Sequence, residues 1–504
     1  MELKILFADD LHFHKRGFKS LFEFIEKYKI KHHFIKHSDK KLLQCFGNYK
    51  SFKSKFLDNY EYVEKFSKKE LFSYRHKAIN IYKLSKAEML TYTMTLPNWY
   101  NEKIPYDDRF IFDKLYTENK ELLLLNMAVA IYWVEFWQDV LKNNEQFTHC
   151  CIFSGSLIYQ KSLIEISKNT PMEAMIFEHF FTGNNYYCEH KYDHIANNSD
   201  IKFSNYYNKV LDIQDIDNIS FENEKIKAIN KVINTSNKNV KQPERVDEKI
   251  FHNEQKTVLI LGQVINDFSI IETKLENICS LSFYKELIFK IVDNTDFNVI
   301  FKAHPWERQK ANLKSSLTYN ELMKFIINNN FHKRVILVED YNLTSLFEQS
   351  NIITTFCSQS ALEASFVGKK VVQFGDAFYG KKGFTYDYKS IDTFIKNCNN
   401  LNETLTLDEY SNYELFLLKV LQLHLVCIHP SGIKSLEAKF NKRKVASIVS
   451  SNYYKLNNIK NIDASSKKKI LLQRPKRIPM IGKFLLFIKH KGSRQLKRFI
   501  SKDL

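Results

Sequence analysis

The chain has 504 residues, too many for one ordinary domain and enough for two large ones with a tail. Hydrophobic residues make up 44% and aromatic residues 14%, enough to fill two cores, and no stretch reaches the roughly 20 apolar residues of a membrane span. The net charge of +18 invites a nucleic-acid reading, but Lys467–Leu504 holds 13 Lys and Arg against one acid and so carries +12 of it. The remaining +6 is spread over 466 residues, which argues against a nucleic-acid-binding body.

In chain order, the first legible element is a strand over Leu3–Ala8. Two acids follow it, and there is no signal-peptide pattern, so the protein is expected in the cytoplasm. Eight cysteines form no CxxC pair and no metal-ligand spacing, and read as reduced, mostly interior thiols. Phe52–Leu90 is aromatic and lysine-rich and reads as helices of unclear order. Leu122–Leu141 is a strong helix, with Trp133 and Trp137 four apart on one face. Strands are expected at His149–Phe153 and within Pro171–Phe177, and Asn197–Gln255 is polar and holds the linker.

The second half is clearer. Short apolar runs at Thr257–Gln263, Phe297–Ala303, Arg334–Glu339, Asn351–Thr355 and Lys370–Phe374 predict buried parallel strands. Helical patterns at Phe283–Asp293, Ala311–Asn328, Leu343–Gln349 and Gln359–Val367 separate them. Strand and helix alternating in this way give a parallel sheet with right-handed crossovers. After Gly375 come helices, Glu414–Val426 the clearest, expected to cross back to the first half. The resulting division is 1–240, 256–400, a helical 401–466 and a basic tail 467–504.

Four segments sit where a strand meets a loop, the place where open parallel sheets collect ligands. Asp267, in Gln263-Val-Ile-Asn-Asp267, is either a helix cap or a catalytic carboxylate. His304 precedes Pro305, which disfavours helix there and presents the imidazole to a ligand. In Thr354–Gly368 a strand ends and a helix opens with Ser358 and Ser360, which suits either ordinary capping or a phosphate, with Glu363 within reach of a ribose. In the first half, Gly155 lies in a loop and Glu178 ends a strand, so its carboxylate is either salt-bridged or catalytic. No GxGxxG and no GxxxxGK[ST] is present, which argues against a dinucleotide-fingerprint or P-loop enzyme.

In this order, from the Gly155 loop through Glu178, Gln263–Asp267 with Ser269, His304-Pro305 and Ser358–Glu363 to Gly368–Asp376, the segments resemble the capsule polysaccharide biosynthesis family. That family contains the retaining β-Kdo transferases, Kdo being an eight-carbon acidic sugar. The resemblance spans Cys150–Lys382. It implies an α/β fold of GT-B type, two Rossmann-like domains facing across a cleft, with the basic C-terminal amphipathic tail outside the shared motifs. It also implies a CMP-Kdo donor bound by the second domain, with Gln263, His304, Ser358, Ser360 and Glu363 in the nucleotide-sugar site. Asp267 would be the nucleophile and Glu178 would move the acceptor's proton. Neither a metal nor a further cofactor is implied. The expected partners are a lipid-linked or saccharide acceptor and the inner-membrane surface, and nucleic acid is not among them. A UDP- or GDP-sugar transferase and a non-catalytic capsule export or assembly component are the alternatives.

Within the tail, Ile478–Ile488 is apolar apart from Pro479, Gly482 and Lys483, and is followed by Lys489, Lys491, Arg494, Lys497 and Arg498. This is too short to span a bilayer and has the pattern of an interfacial helix. Each basic side chain near anionic lipid contributes about 1 kcal/mol. Full-length protein is therefore expected to float with anionic liposomes, to release in high salt, and to lose binding on truncation after Ser466. Equal binding by the truncated protein would remove the tail as the anchor.

Overall fold

The computed structural model describes residues 2–142, 146–211, 218–233, 243–309 and 315–441. The predicted tail, the start of the helix expected at Ala311 and parts of the linker lie outside the described residues. Among those described, no helix is long and apolar enough to cross a membrane.

The first sheet is built from β1 (Lys4–Phe7), β2 (Lys31–Phe34), β3 (His149–Phe153), β4 (Glu173–His179) and β5 (Asn185–His190). Its spatial order is β2-β1-β3-β4-β5, parallel from β2 to β4, with β5 antiparallel to β4. The strand expected at Leu3–Ala8 and the one at His149–Phe153 are both present, because their alternate side chains fill cores on both faces of the sheet. On one face, Phe7, Phe18, Leu21 and Phe177 pack together beneath helix Lys15–Lys27.

Between β2 and β3 the chain makes a helical layer. Its centre is helix Lys120–Lys142, flanked by Leu57–Glu64, Ile81–Thr93 and Asp108–Glu118. The expected tryptophan face is buried, and the Trp137 indole N–H donates to the Tyr159 carbonyl at 2.7 Å. Glu88 ties this layer to the sheet. Its buried carboxylate accepts from the N–H groups of Gly47 (3.1 Å) and Ile158 (2.7 Å) and from the Tyr49 hydroxyl (2.7 Å). Ile158 opens helix Ile158–Ser167, so the carboxyl also meets the positive end of a helix, although burial still raises its pKa.

The second sheet contains β6 (Thr257–Leu261), β7 (Asn298–Lys302), β8 (Val335–Val338), β9 (Ile352–Thr355), β10 (Val371–Gln373) and β11 (Thr385–Asp387). All pairs are parallel in the order β8-β7-β6-β9-β10-β11, the doubly wound dinucleotide-fold arrangement. The five apolar runs read from the sequence are its first five strands. The sixth, Thr385–Asp387, is half-exposed and polar, so it left no apolar signal.

The C-terminal segment does cross back. Helix Leu407–Leu418 runs into a π-helical turn, Lys419–His424, and the chain then adds β12 (Val426–Cys427) antiparallel to β5. Helix Gly432–Phe440 packs onto helix Lys15–Lys27. The stretch expected to be wholly helical after residue 400 thus includes an edge strand of the first sheet. Two residues, Val426 and Cys427, are too few to show a strand period. The turn places His424 in the interior, where its Nε2 lies 2.8 Å from Glu189 Oε1 and 3.1 Å from Ser199 Oγ.

Replacing Glu88 by Ala would strand three buried donors. Each unpaired group costs about 1–3 kcal/mol, so Glu88→Ala should lower the unfolding free energy by about 3 kcal/mol or more, read from urea unfolding by tryptophan fluorescence. A loss below about 1 kcal/mol would show that the helical layer is held by apolar packing alone.

Candidate active site

Each sheet has a point where strand order reverses, and loops leaving the carboxyl ends of strands there open a crevice. In the second sheet that point lies between β6 and β9. In the first it lies between β1 and β3. The two sets of loops meet.

From the second sheet, the loop after β6 carries Gln263 and Asp267. Gly262 permits its start, since a Cβ there would lie 2.7 Å from the Phe301 ring and 2.8 Å from the Lys302 carbonyl. Asp267 caps the short helix Phe268–Ile271: Oδ1 accepts from the Ser269 N–H and from its hydroxyl, both at 2.9 Å. Oδ2 has only a long contact, 3.4 Å, from the Gln263 amide. The capping and catalytic readings of Asp267 therefore do not exclude each other, since one oxygen serves the cap.

Gln263 is buried and works between loops. Its Oε1 accepts from the Cys357 N–H at 2.9 Å, while its amide nitrogen reaches Ser269 Oγ at 3.2 Å. It thereby fixes the loop after β9 against the loop after β6. Burial pushes the Cys357 thiol up to about 12, so it is an inert packing group. Ser358 does not cap in the expected way. Helix Ser360–Phe366 begins after Gln359, with no side-chain cap, and the Ser360 N–H donates to Ser358 Oγ at 3.3 Å. The Gln359 side chain instead reaches across the cleft, where its Oε1 accepts from the Phe181 N–H at 3.0 Å.

His304 follows β7, on the other side of β6 from β9. Its Nδ1 accepts from the Trp306 N–H at 3.2 Å, which orients the ring. The neighbouring Glu307, buried, accepts from the Ile265 N–H (3.1 Å) and from Thr318 N–H (3.0 Å) and hydroxyl (2.8 Å). The three loops thus form one braced unit. Glu363, one turn into its helix, is half-buried, and burial pushes its carboxyl up to about 7.

From the first sheet come Glu178, the penultimate residue of β4, and the turn after β3. Ser154 and Gly155 both have positive φ, +59° and +81°, which folds the chain back sharply beside the strand end. The Ser154 side chain and the His179 N–H, the latter at 2.9 Å, hydrogen bond the Glu178 carboxylate. The carboxyl keeps some solvent contact but lies deep in the crevice. Burial raises its pKa to about 7 and the negative charge of Asp267 adds to the rise, against the opposing pull of the His179 N–H, His12 and Ser154. Asp267 and Glu178 are therefore brought together from opposite sheets.

Several residues of this site carry no signal in sequence order. Asp9 and His12 follow β1; the acids after the first strand were their only trace. Asn197, in the expected linker, joins the halves. Its amide nitrogen reaches the Gly375 carbonyl (3.1 Å) and Thr273 Oγ1 (3.1 Å), and its Oδ1 accepts from the Phe378 N–H (2.9 Å). Nearby, Lys161 forms a buried ion pair with Glu272. Among the described residues, no group of three or more His, Cys, Asp or Glu side chains is arranged to hold a metal ion.

A family profile described as capsule polysaccharide biosynthesis protein matches residues 165–423, a span that contains Glu178, Gln263, Asp267, His304, Ser358, Ser360 and Glu363 but not Asp9 or His12. No curated protein matches the chain. Among solved structures, the chain is similar to KpsC of Thermosulfurimonas dismutans described as a beta Kdo 2,4 transferase, at 17% identity, covering 54% of this chain and 79% of that one with a TM-score of 0.38. A second KpsC structure from that organism, a beta Kdo 2,7 transferase, is 16% identical, covers 60% and 88%, and has a TM-score of 0.34. A UDP-GlcNAc 2-epimerase of Methanocaldococcus jannaschii is 12% identical, covers 84% and 99%, and has a TM-score of 0.30.

The Glu178 carboxyl should titrate with a midpoint near pH 7 by carbon-13 NMR, and Asp267→Asn, which removes a negative neighbour, should lower it. An unmoved midpoint would show that the two groups do not interact.

Proposed function

We propose that this chain, which belongs to the capsule polysaccharide biosynthesis protein family, is a glycosyltransferase that moves a sugar from a nucleotide donor to a saccharide or lipid-linked acceptor. The donor most consistent with the ordered motifs is CMP-Kdo, transferred with retention. The observation that carries this reading is the pair of carboxylates, Asp267 and Glu178, presented by opposite sheets and close enough for one charge to act on the other.

In the first displacement an Asp267 oxygen bonds to the anomeric carbon as the bond to the nucleotide phosphate breaks, and the electron pair leaves with the nucleotide. In the second, the acceptor hydroxyl attacks that carbon from the opposite side, Asp267 departs as carboxylate, and Glu178 takes the hydroxyl proton. Two inversions give retention. The electrostatic coupling orders these steps. Burial chiefly holds Glu178 up, and the Asp267 charge adds to the rise; once Asp267 becomes a neutral ester that added influence vanishes, Glu178 ionises somewhat more readily, and the base is better prepared for the acceptor. His304, Ser358 and Ser360 stand at the ends of strands flanking β6, where a donor phosphate would sit. Glu363, with its raised pKa, suits a hydrogen bond to a ribose hydroxyl. The proposed setting is the cytoplasmic face of the inner membrane, held there by the tail.

Purified protein is expected to release CMP from CMP-Kdo and to release little nucleotide from UDP- or GDP-sugars. Asp267→Ala should abolish transfer by many orders of magnitude with an unchanged Tm. Near-normal turnover by this variant would end the nucleophile assignment, and release from a UDP- or GDP-sugar instead would reassign the donor. His304→Ala and Ser358→Ala should each weaken CMP binding by about 1.5–3 kcal/mol in calorimetry.

A further inference from the structure

Asp267 caps the start of helix Phe268–Ile271 and Glu272 caps its end, so the two carboxyl groups stand at opposite ends of one short, hydrogen-bonded turn. By sequence this turn belongs to the second half, yet much of what holds it comes from the first. Just before it, the fully buried Asn266 donates its amide to the Thr91 carbonyl at 2.8 Å. Thr91 lies in helix Ile81–Thr93, against which the turn packs, with Ile270 and Ile271 fully buried. Along its side, the Asn197 amide reaches Thr273 Oγ1 at 3.1 Å and, more weakly, the Ser269 carbonyl at 3.4 Å.

The far end carries the charged contact. Lys161, from helix Ile158–Ser167, forms an ion pair with Glu272 Oε1. His194 Nδ1, itself 2.8 Å from Asp193 Oδ1, lies 3.5 Å from the same Glu272 oxygen. No donor among the described residues reaches the buried Oε2, so both partners draw the carboxylate one way, toward the first half. A rim ion pair between two halves would contribute little. This one is no rim pair, since the Lys161 and Glu272 side chains keep only 18% and 4% of their surface exposed. Taking two charges out of water costs free energy, and a well-packed apolar pair would hold the halves together at least as well. What an apolar pair would not supply is a fixed direction.

We infer that Lys161 and Glu272 position the nucleophile, so that the first half sets where Asp267 stands over a donor bound by the second. The inference rests on the glycosyl-transfer reading. The groups assigned to the donor phosphate, His304 and Ser358, lie on the loops after β7 and β9, whereas Asp267 lies on the loop after β6 that is gripped from across the cleft. The pair touches no substrate and moves no proton. It acts only through the turn that Glu272 terminates, and both residues are positioning residues. Displacing a reacting group by about 1 Å costs on the order of 10²-fold in rate, while the phosphate contacts on the other loops stay in place.

The test compares full-length wild type with Lys161→Met and with the double variant Lys161→Met/Glu272→Gln. The single variant leaves a buried carboxylate without its cation and risks unfolding; the double variant removes both charges and keeps the side-chain volume. The first readout needs no substrate. Hydrogen exchange of residues 266–273 should quicken about fivefold or more in the double variant, with strand β6 unchanged. The second readout separates rate from affinity: kcat should fall about tenfold or more while CMP affinity stays within about twofold. Unchanged exchange at 266–273 overturns the inference. So does faster exchange with an unchanged kcat, or a kcat that falls only in step with CMP affinity. A double variant that does not fold would make the pair a stability element and overturns it too. If wild-type protein releases nucleotide from no donor, the glycosyltransferase reading falls, while hydrogen exchange still decides whether the first half holds the Asp267 turn.

Discussion

Asp267 and Glu178, carried by different sheets, share one crevice only if the sheets are held in one register, and the Asn197 side chain is central to how this is done. One amide contacts the main chain at Gly375 and Phe378, on the loop leaving β10, and the Thr273 side chain beyond the Phe268–Ile271 helix. Its backbone adopts a positive φ of 51°, which Asn tolerates better than most residues. Around it, the buried Lys161–Glu272 pair and the Gln359 contact to Phe181 repeat the pattern of polar side chains from one half satisfying groups of the other. Directional bonds of this kind set geometry where apolar packing alone would allow sliding.

Part of the crevice lining is withdrawn from water, Asp9 wholly and Glu178 in large part, and that governs its electrostatics. A carboxylate in low dielectric must either find donors or take up a proton. Asp9 finds donors and is held in its charged form. Glu178 finds fewer and faces a second carboxylate, so it sits at the boundary between its two forms near neutral pH. The first half thus presents two carboxyl groups with opposite tendencies, both supplied by loops and strand ends of the same sheet. Elsewhere the same balance falls either way: burial raises the Glu88 carboxyl in spite of its three donors, whereas for Glu189 the His424 and Lys191 charges and Ser199 outweigh burial and pull its carboxyl down to about 2.

Elements whose physics is local are legible in the amino-acid order. Parallel strands buried on both faces must be apolar runs, and the five in the second half were readable for that reason, as was the long tryptophan-bearing helix. Strand ends followed by Asp, His or Ser are legible in the same way, so Gln263, Asp267, His304 and Ser358 stand out in the amino-acid order itself. What those residues face depends on the fold. Strand order is a matter of crossovers, and the period of a strand says nothing about its neighbours. Hence the switch points, the approach of Glu178 to Asp267, and the role of Gln263 as a brace came only from the fold. Elements with little apolar surface of their own, such as Thr385–Asp387 and Val426–Cys427, exist because a sheet edge was there to pair with. Asp9, His12 and Asn197 were hidden for a related reason: a polar residue in a loop looks solvated in sequence, and only burial from distant segments turns it into a fixed charge or a hinge pin.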